Sequence, residues 1–150
     1  MEALYKTIGY MSLCVMVLCL SADFVAFTSN TALASENYWS GIGKNIAGHI
    51  DTAQALYDSG DAKAAKRAVI QAYFGEFEDK KMEAAMRMEL GAKHTYQVER
   101  LFGDLRKAIT KGADQATIAT VATAIRNAIE RDAIALDAAG IPPEVFRVNQ

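Results

Sequence analysis

The strongest constraint on this chain is the spacing of its apolar residues from residue 45 onward. They recur at helical intervals in four stretches, with turn signals between them. Ile46, Ile50, Ala53 and Tyr57 fall at i, i+4, i+7 and i+11, which predicts a helix over about 45–58. "DSGD" closes it, with Gly60 suited to the position after a helix and Asp61 to the cap of the next. The second helix runs over about 62–77 on a stripe of Ala62, Ala65, Val69, Tyr73 and Phe77. "GEFEDKK" then reads as a break punctuated by Gly75 and Asp79. The third and longest stretch covers about 81–110, about 45 Å if it were one straight helix. Gly91 lies inside it, as a kink or a close helix contact. After "KGAD", Asp114 or Thr117 caps the fourth helix, about 115–138. Its stripe is Ile118, Val121, Ala122, Ile125, Ile129, Ala133 and Leu136, and Gly140 and Pro142-Pro143 end it.

No strand alternation and no solenoid period interrupt this pattern. Only two prolines occur, and 51% of the residues are apolar, enough for a core. Four amphipathic helices joined by short turns predict an all-α fold, an antiparallel up-down four-helix bundle. Residues 35–44, "SENYWSGIGK", read as a loose lead-in, and Val145 and Phe146 as a tail that packs across an open end.

The first 34 residues have a different build. A short polar start with Lys6 leads into the uncharged "IGYMSLCVMVLCL", and a polar stretch follows that ends in Ala32-Leu33-Ala34. That is the pattern of a secretory signal peptide, residues 1–34, cleaved after Ala34. An uncleaved membrane anchor over residues 8–27 is the rival reading, and Asp23 counts against it. A lipoprotein signal is disfavoured because Leu18 precedes Cys19. Both cysteines, Cys14 and Cys19, lie in this segment, so a mature chain 35–150 has no disulfide, thiolate ligand or Cys-x-x-Cys-His for covalent haem. The expected location is the periplasm or another exported compartment.

Several function classes are disfavoured. The formal net charge is −2 and no basic block is interleaved with aromatics, which argues against nucleic acid as a partner. There is no phosphate-binding glycine loop, no Gly-x-Ser-x-Gly and no His-Glu-x-x-His, so the chain reads as non-enzymatic. The paired Glu-x-x-His of di-iron bundles is absent as well.

One feature of the third stretch runs against the core pattern. At about 100° per residue, Glu83, Arg87, Leu90, His94, Leu101 and Leu105 share one narrow sector, while Glu99 points away from it. Buried charge needs a partner or a metal. Two readings follow. In one, Glu83 and Arg87 form an i, i+4 ion pair and His94 is a hydrogen-bonded core residue. In the other, His94 and the nearby carboxylates, with Tyr73, Tyr57 and His49 on neighbouring faces, hold iron, manganese or zinc, metals suited to oxygen and imidazole donors. A non-covalent haem on His49, His94 or a methionine is a third, weaker reading.

Two segments add a resemblance. Ala72, Tyr73, Phe77 and Glu78, leading to Glu83, match a pattern Ala-Tyr-x-x-x-Phe-Glu before a helix. Glu99, Phe102, Leu105 and Arg106 match Glu-x-x-Phe-x-x-Leu-Arg. Over residues 51–140 the chain resembles the extracytoplasmic helical domain of bacterial members of the high-affinity iron permease (iron/lead transporter) family. It departs from the permease part: no apolar span follows residue 34, and the Arg-Glu-x-x-Glu motif is missing. The resemblance implies the extracytoplasmic domain alone, presenting or sensing iron beside a membrane permease. It also implies that Glu83, His94, Glu78, Tyr73 and Glu99 are the candidate metal ligands.

Overall fold

Helix begins earlier than the periodicity predicts. The computed structural model describes residues 37–146, so the expected signal peptide, anchor and cleavage site lie outside the described residues. Helix α1 spans Tyr38–Asp58 and absorbs most of the expected lead-in. The cause is tertiary. Trp39 and Ile42 are buried and extend the Ile46–Ile50–Ala53 stripe toward the N-terminus. The first N–H groups of a helix have no partner within it, and here a distant carboxylate supplies one. Asp137 Oδ1 accepts from the Trp39 N–H at 2.9 Å, and Oδ2 accepts from the Ser40 N–H at 2.9 Å and the Ser40 hydroxyl at 2.5 Å. The Trp39 indole N–H donates to the Ile141 carbonyl at 2.7 Å.

Helix α2 (Ala62–Ile70) starts where the sequence predicts, with Asp61 accepting from the Ala64 N–H. It then continues as a π-helical stretch, Gln71–Glu78. The wider turn changes the spacing of the buried face: Ala72 and Phe77, five residues apart, are both buried, and Tyr73 is left half-buried. Gly75, one of the two residues expected to punctuate the break, lies inside this stretch. The turn falls at the other, over Asp79–Lys81, where Lys81 takes a left-handed φ of 67°.

The expected single helix over 81–110 is two helices. Helix α3 spans Met82–Glu89 and α4 spans Ala92–Lys111. Between them Gly91 has φ 89° and ψ 151°, a region essentially closed to residues with a Cβ. The break resets the helical phase. The buried face of α4 is Thr95, Val98, Phe102, Leu105 and Ile109, and Leu101 is only partly buried. The single sector that joined Glu83, Arg87, His94 and Leu101 therefore does not exist.

Helix α5 (Gln115–Ala138) is capped by Asp114, which accepts from both the Thr117 N–H and its hydroxyl. All the described elements are helical. Helix α1 packs on α5 and α2, α4 packs on α5 and α2, and α3 rests on α4. The α1–α5 contact is close at Gly43, where a Cβ would stand 3.1 Å from that of Ala133. The core between them holds Trp39, Phe77 and Phe102 with the isoleucines of α1 and α5. A final 3₁₀ turn, Pro143–Phe146, sets Phe146 edge-on to Trp39, whereas Val145 stays exposed. Among the described residues no helix is long and apolar enough to cross a membrane.

Two glycines of the same region separate backbone strain from crowding. A Cβ at Gly91 or at Gly103, in the middle of α4, would meet nothing within 4 Å. Gly91→Ala is nonetheless expected to lower stability by about 1–3 kcal/mol because of its backbone angles. Gly103→Ala is expected to raise it by about 0.5–1 kcal/mol. Urea unfolding of the two variants checks both signs.

Candidate functional site

The charged residues of α3 and α4 gather on one guanidinium. Glu83, in the first turn of α3, meets Arg87 one turn later: Oε1 accepts from Nε at 3.0 Å and lies 2.9 Å from Nη2. Glu99 reaches the same Nη2 from α4, at 2.6 Å. Two carboxylates from two helices thus share one nitrogen. Both glutamate side chains are largely buried, whereas Arg87 is half-exposed. The hydrogen bond donated to Glu83 and the charge of Glu99 hold the guanidinium still more firmly protonated than usual.

Tyr73 stands beside this group, placed by aromatic packing. Its ring lies 5.8 Å from that of Phe77 and 5.5 Å from that of Phe102, which are themselves 5.5 Å apart. Burial pushes its phenol up to about 12, helped by the negative charges of Glu83, Glu99 and Glu78 and opposed by Arg87. Three carboxylates against one guanidinium leave the surroundings of Tyr73 with surplus negative charge. Tyr73, Glu99 and Phe102 also line a recess of about 180 Å³ with Phe74, Gly103 and Arg106. The π-helical stretch carries both Tyr73 and Glu78; wide turns of this kind are frequent at functional sites.

Of the five sequence-predicted ligands, the structure brings Tyr73, Glu78, Glu83 and Glu99 into one electrostatic neighbourhood and separates His94 from them. His94 Nε2 instead bonds Asp132 Oδ2 at 2.8 Å, and Arg131 Nε donates to Asp132 Oδ1 at 2.9 Å. Among the described residues no hydrogen bond joins His94 to the Arg87 group. Glu99, expected to face away, is turned inward by the break at Gly91. Among the described residues no three His, Cys, Asp or Glu side chains stand close enough together to hold a metal ion; Arg87 occupies the gap between the two carboxylates.

Asp132 was not singled out in the sequence, although a signal was there. It falls in phase with Ile125, Ile129 and Leu136 on the apolar face of α5, and it is 2% exposed. A carboxylate on that face demands a donor, and His94 and Arg131 provide two. Comparison with known proteins returns nothing: no protein-family model, no curated protein and no solved structure matches the chain.

The raised phenol has a pH consequence with a definite sign. The folded state keeps the Tyr73 proton to about 12, above the ordinary 10.0. Above the ordinary value the unfolded chain therefore holds fewer protons than the folded one, and stability falls with rising pH. The contribution of Tyr73 is full below pH 10.0 and is lost as pH rises through about 12. In a spectrophotometric titration, the component absent from Tyr73→Phe is expected to titrate near 12, and somewhat lower in Glu83→Gln. Titration of that component at the ordinary tyrosine value would contradict the packing described.

Proposed function

We propose that residues 35–150 form an exported, non-enzymatic domain that binds or presents iron, or a similar divalent metal, beside an iron-uptake permease. The observation that carries this reading is the sharing of one Arg87 nitrogen by Glu83 and Glu99. A half-exposed guanidinium there holds the place of a cation between two largely buried carboxylates. When Arg87 swings outward, Glu83 and Glu99 present oxygen donors to whatever cation enters, with Tyr73 and Glu78 alongside. Such all-oxygen donors suit iron or manganese and do not suit copper(I). His94, held by Asp132, stands outside this set. The resemblance of the Tyr73–Glu83 and Glu99–Arg106 segments to the permease family supplies the transport context.

The same reading takes α1, α2 with its π-helical extension, α4 and α5 as an antiparallel up-down four-helix bundle, with α3 as an added helix. The short turns at 59–61 and 112–114 support it, since short links favour antiparallel neighbours.

A second reading is favoured by the same ion pair. In it Arg87 is the permanent partner of both carboxylates and the domain is an interaction module that binds no metal. Arg87→Ala separates the two. In the first reading it removes a competitor, so anaerobic calorimetry with ferrous iron shows saturable binding in the parent chain and binding about tenfold tighter in Arg87→Ala. Glu83→Ala and Glu99→Ala lose it, and His94→Ala keeps it. In the second, neither parent nor Arg87→Ala binds iron, and Arg87→Ala only lowers the melting temperature.

A further inference from the structure

A second charged feature lies outside the carboxylate group. Lys66 of α2 and Arg106, Lys107 and Lys111 of α4 surround a solvent-open cavity of about 400 Å³, with Thr110 completing the wall. The chain as a whole carries a net charge of −2, so this concentration of positive charge is local. Among the described residues Lys107 has one ion-pair partner, Asp104 at 3.5 Å, with both side chains exposed. Lys66, Arg106 and Lys111 have none within the described residues.

Four like charges around one opening repel one another. Cations are expected in the last turn of a helix, where they complement its dipole, and that accounts for Lys111. It does not account for Lys66, which belongs to another helix, or for Arg106, which lies further from the end of α4. The chemistry of the rim is one-sided. Ammonium and guanidinium groups only donate, and the Thr110 hydroxyl donates to the Arg106 carbonyl at 2.8 Å, leaving its lone pairs toward solvent or a donor. The aliphatic stems of the lysines form the walls beneath the charges. The volume falls in the range of small-ligand sites.

The geometry points to a binding site for a phosphate-bearing anion. A guanidinium fork bonds two oxygens of a phosphoryl group at once, and lysines add point charges around it. Free phosphate compounds and the headgroup of an anionic phospholipid share this chemistry. The proposal does not rest on the cation reading: none of Glu83, Arg87 and Glu99 lines the cavity, and Arg106 alone also borders the recess beside Tyr73 and Glu99.

The test is calorimetry of the purified chain with inorganic phosphate and with pyrophosphate at low ionic strength. Beside it stands co-sedimentation with phosphatidylcholine vesicles, with and without phosphatidic acid. Saturable binding is expected for at least one probe. It weakens about tenfold or more when Lys66→Ala is combined with Lys111→Ala, with an unchanged melting temperature, and it is unaffected by Lys63→Ala, on α2 but outside the cavity. Pyrophosphate or phosphate binding assigns a free anion; binding only to vesicles with phosphatidic acid assigns a headgroup. No saturable binding to any probe overturns the proposal. So does binding that the double variant leaves intact, or that Lys63→Ala weakens equally.

Discussion

The backbone at Gly91 decides where the charges of this protein meet. A continuous helix over 81–110 would carry Glu99 away from Glu83, since the two would sit on different sides of one cylinder. With φ 89° and ψ 151° at Gly91, the chain leaves α3 and starts α4 in a new phase. Glu99 then faces back to Arg87, and Val98, Phe102, Leu105 and Ile109 face the core. The same break sets Phe102 against Tyr73 and Phe77, which fixes the phenol beside the carboxylates. Gly91 takes these angles without a steric clash because it has no Cβ, and the apolar face of α4 and the Arg87 ion pairs hold the two helices in the resulting phase.

Two acids, Asp132 buried and Asp137 half-buried, show how α5 organises the rest. Asp137 caps α1 from nearly a hundred residues away, and Asp132 receives His94 from α4 and Arg131 from its own helix. Each draws a different helix onto α5, and each is satisfied, as buried polar groups must be. The Arg87 group differs from both. Its carboxylates are largely buried, whereas their shared cation is half-exposed. That asymmetry is what the proposed exchange of Arg87 for a metal ion rests on.

Several local signals are legible in the sequence where the partner is near in the chain. Asp61 and Asp114 cap the helices that follow them, and the stripes Ile46–Ile50–Ala53 and Ile118–Ile125–Ile129–Leu136 are core. The Glu83–Arg87 pair, one helical turn apart, was likewise legible. What was not legible depends on distant partners or on backbone angles. The start of α1 needs Asp137, so the lead-in looked loose. The π-helical stretch carries the helix past Gly75 while shifting its phase, so of the expected break only the Asp79 end holds, and Ala72 joins a core that the helical spacing does not assign to it. Gly91 reads from the sequence as a kink or a close helix contact, and its effect on phase follows only from its angles. The basic cavity joins Lys66 to residues some forty positions later, which no local reading of charge would assemble.

The account rests on Arg87 holding a place that a metal ion can take. Anomalous diffraction from crystals soaked anaerobically in a manganese(II) or ferrous salt tests it most directly, because it locates the metal and the guanidinium in one experiment. The account predicts an anomalous peak between Glu83 and Glu99, near the Tyr73 oxygen, with the Arg87 side chain displaced toward solvent. Crystals soaked to saturation that show no peak there, with Arg87 still bonded to both carboxylates, would contradict it.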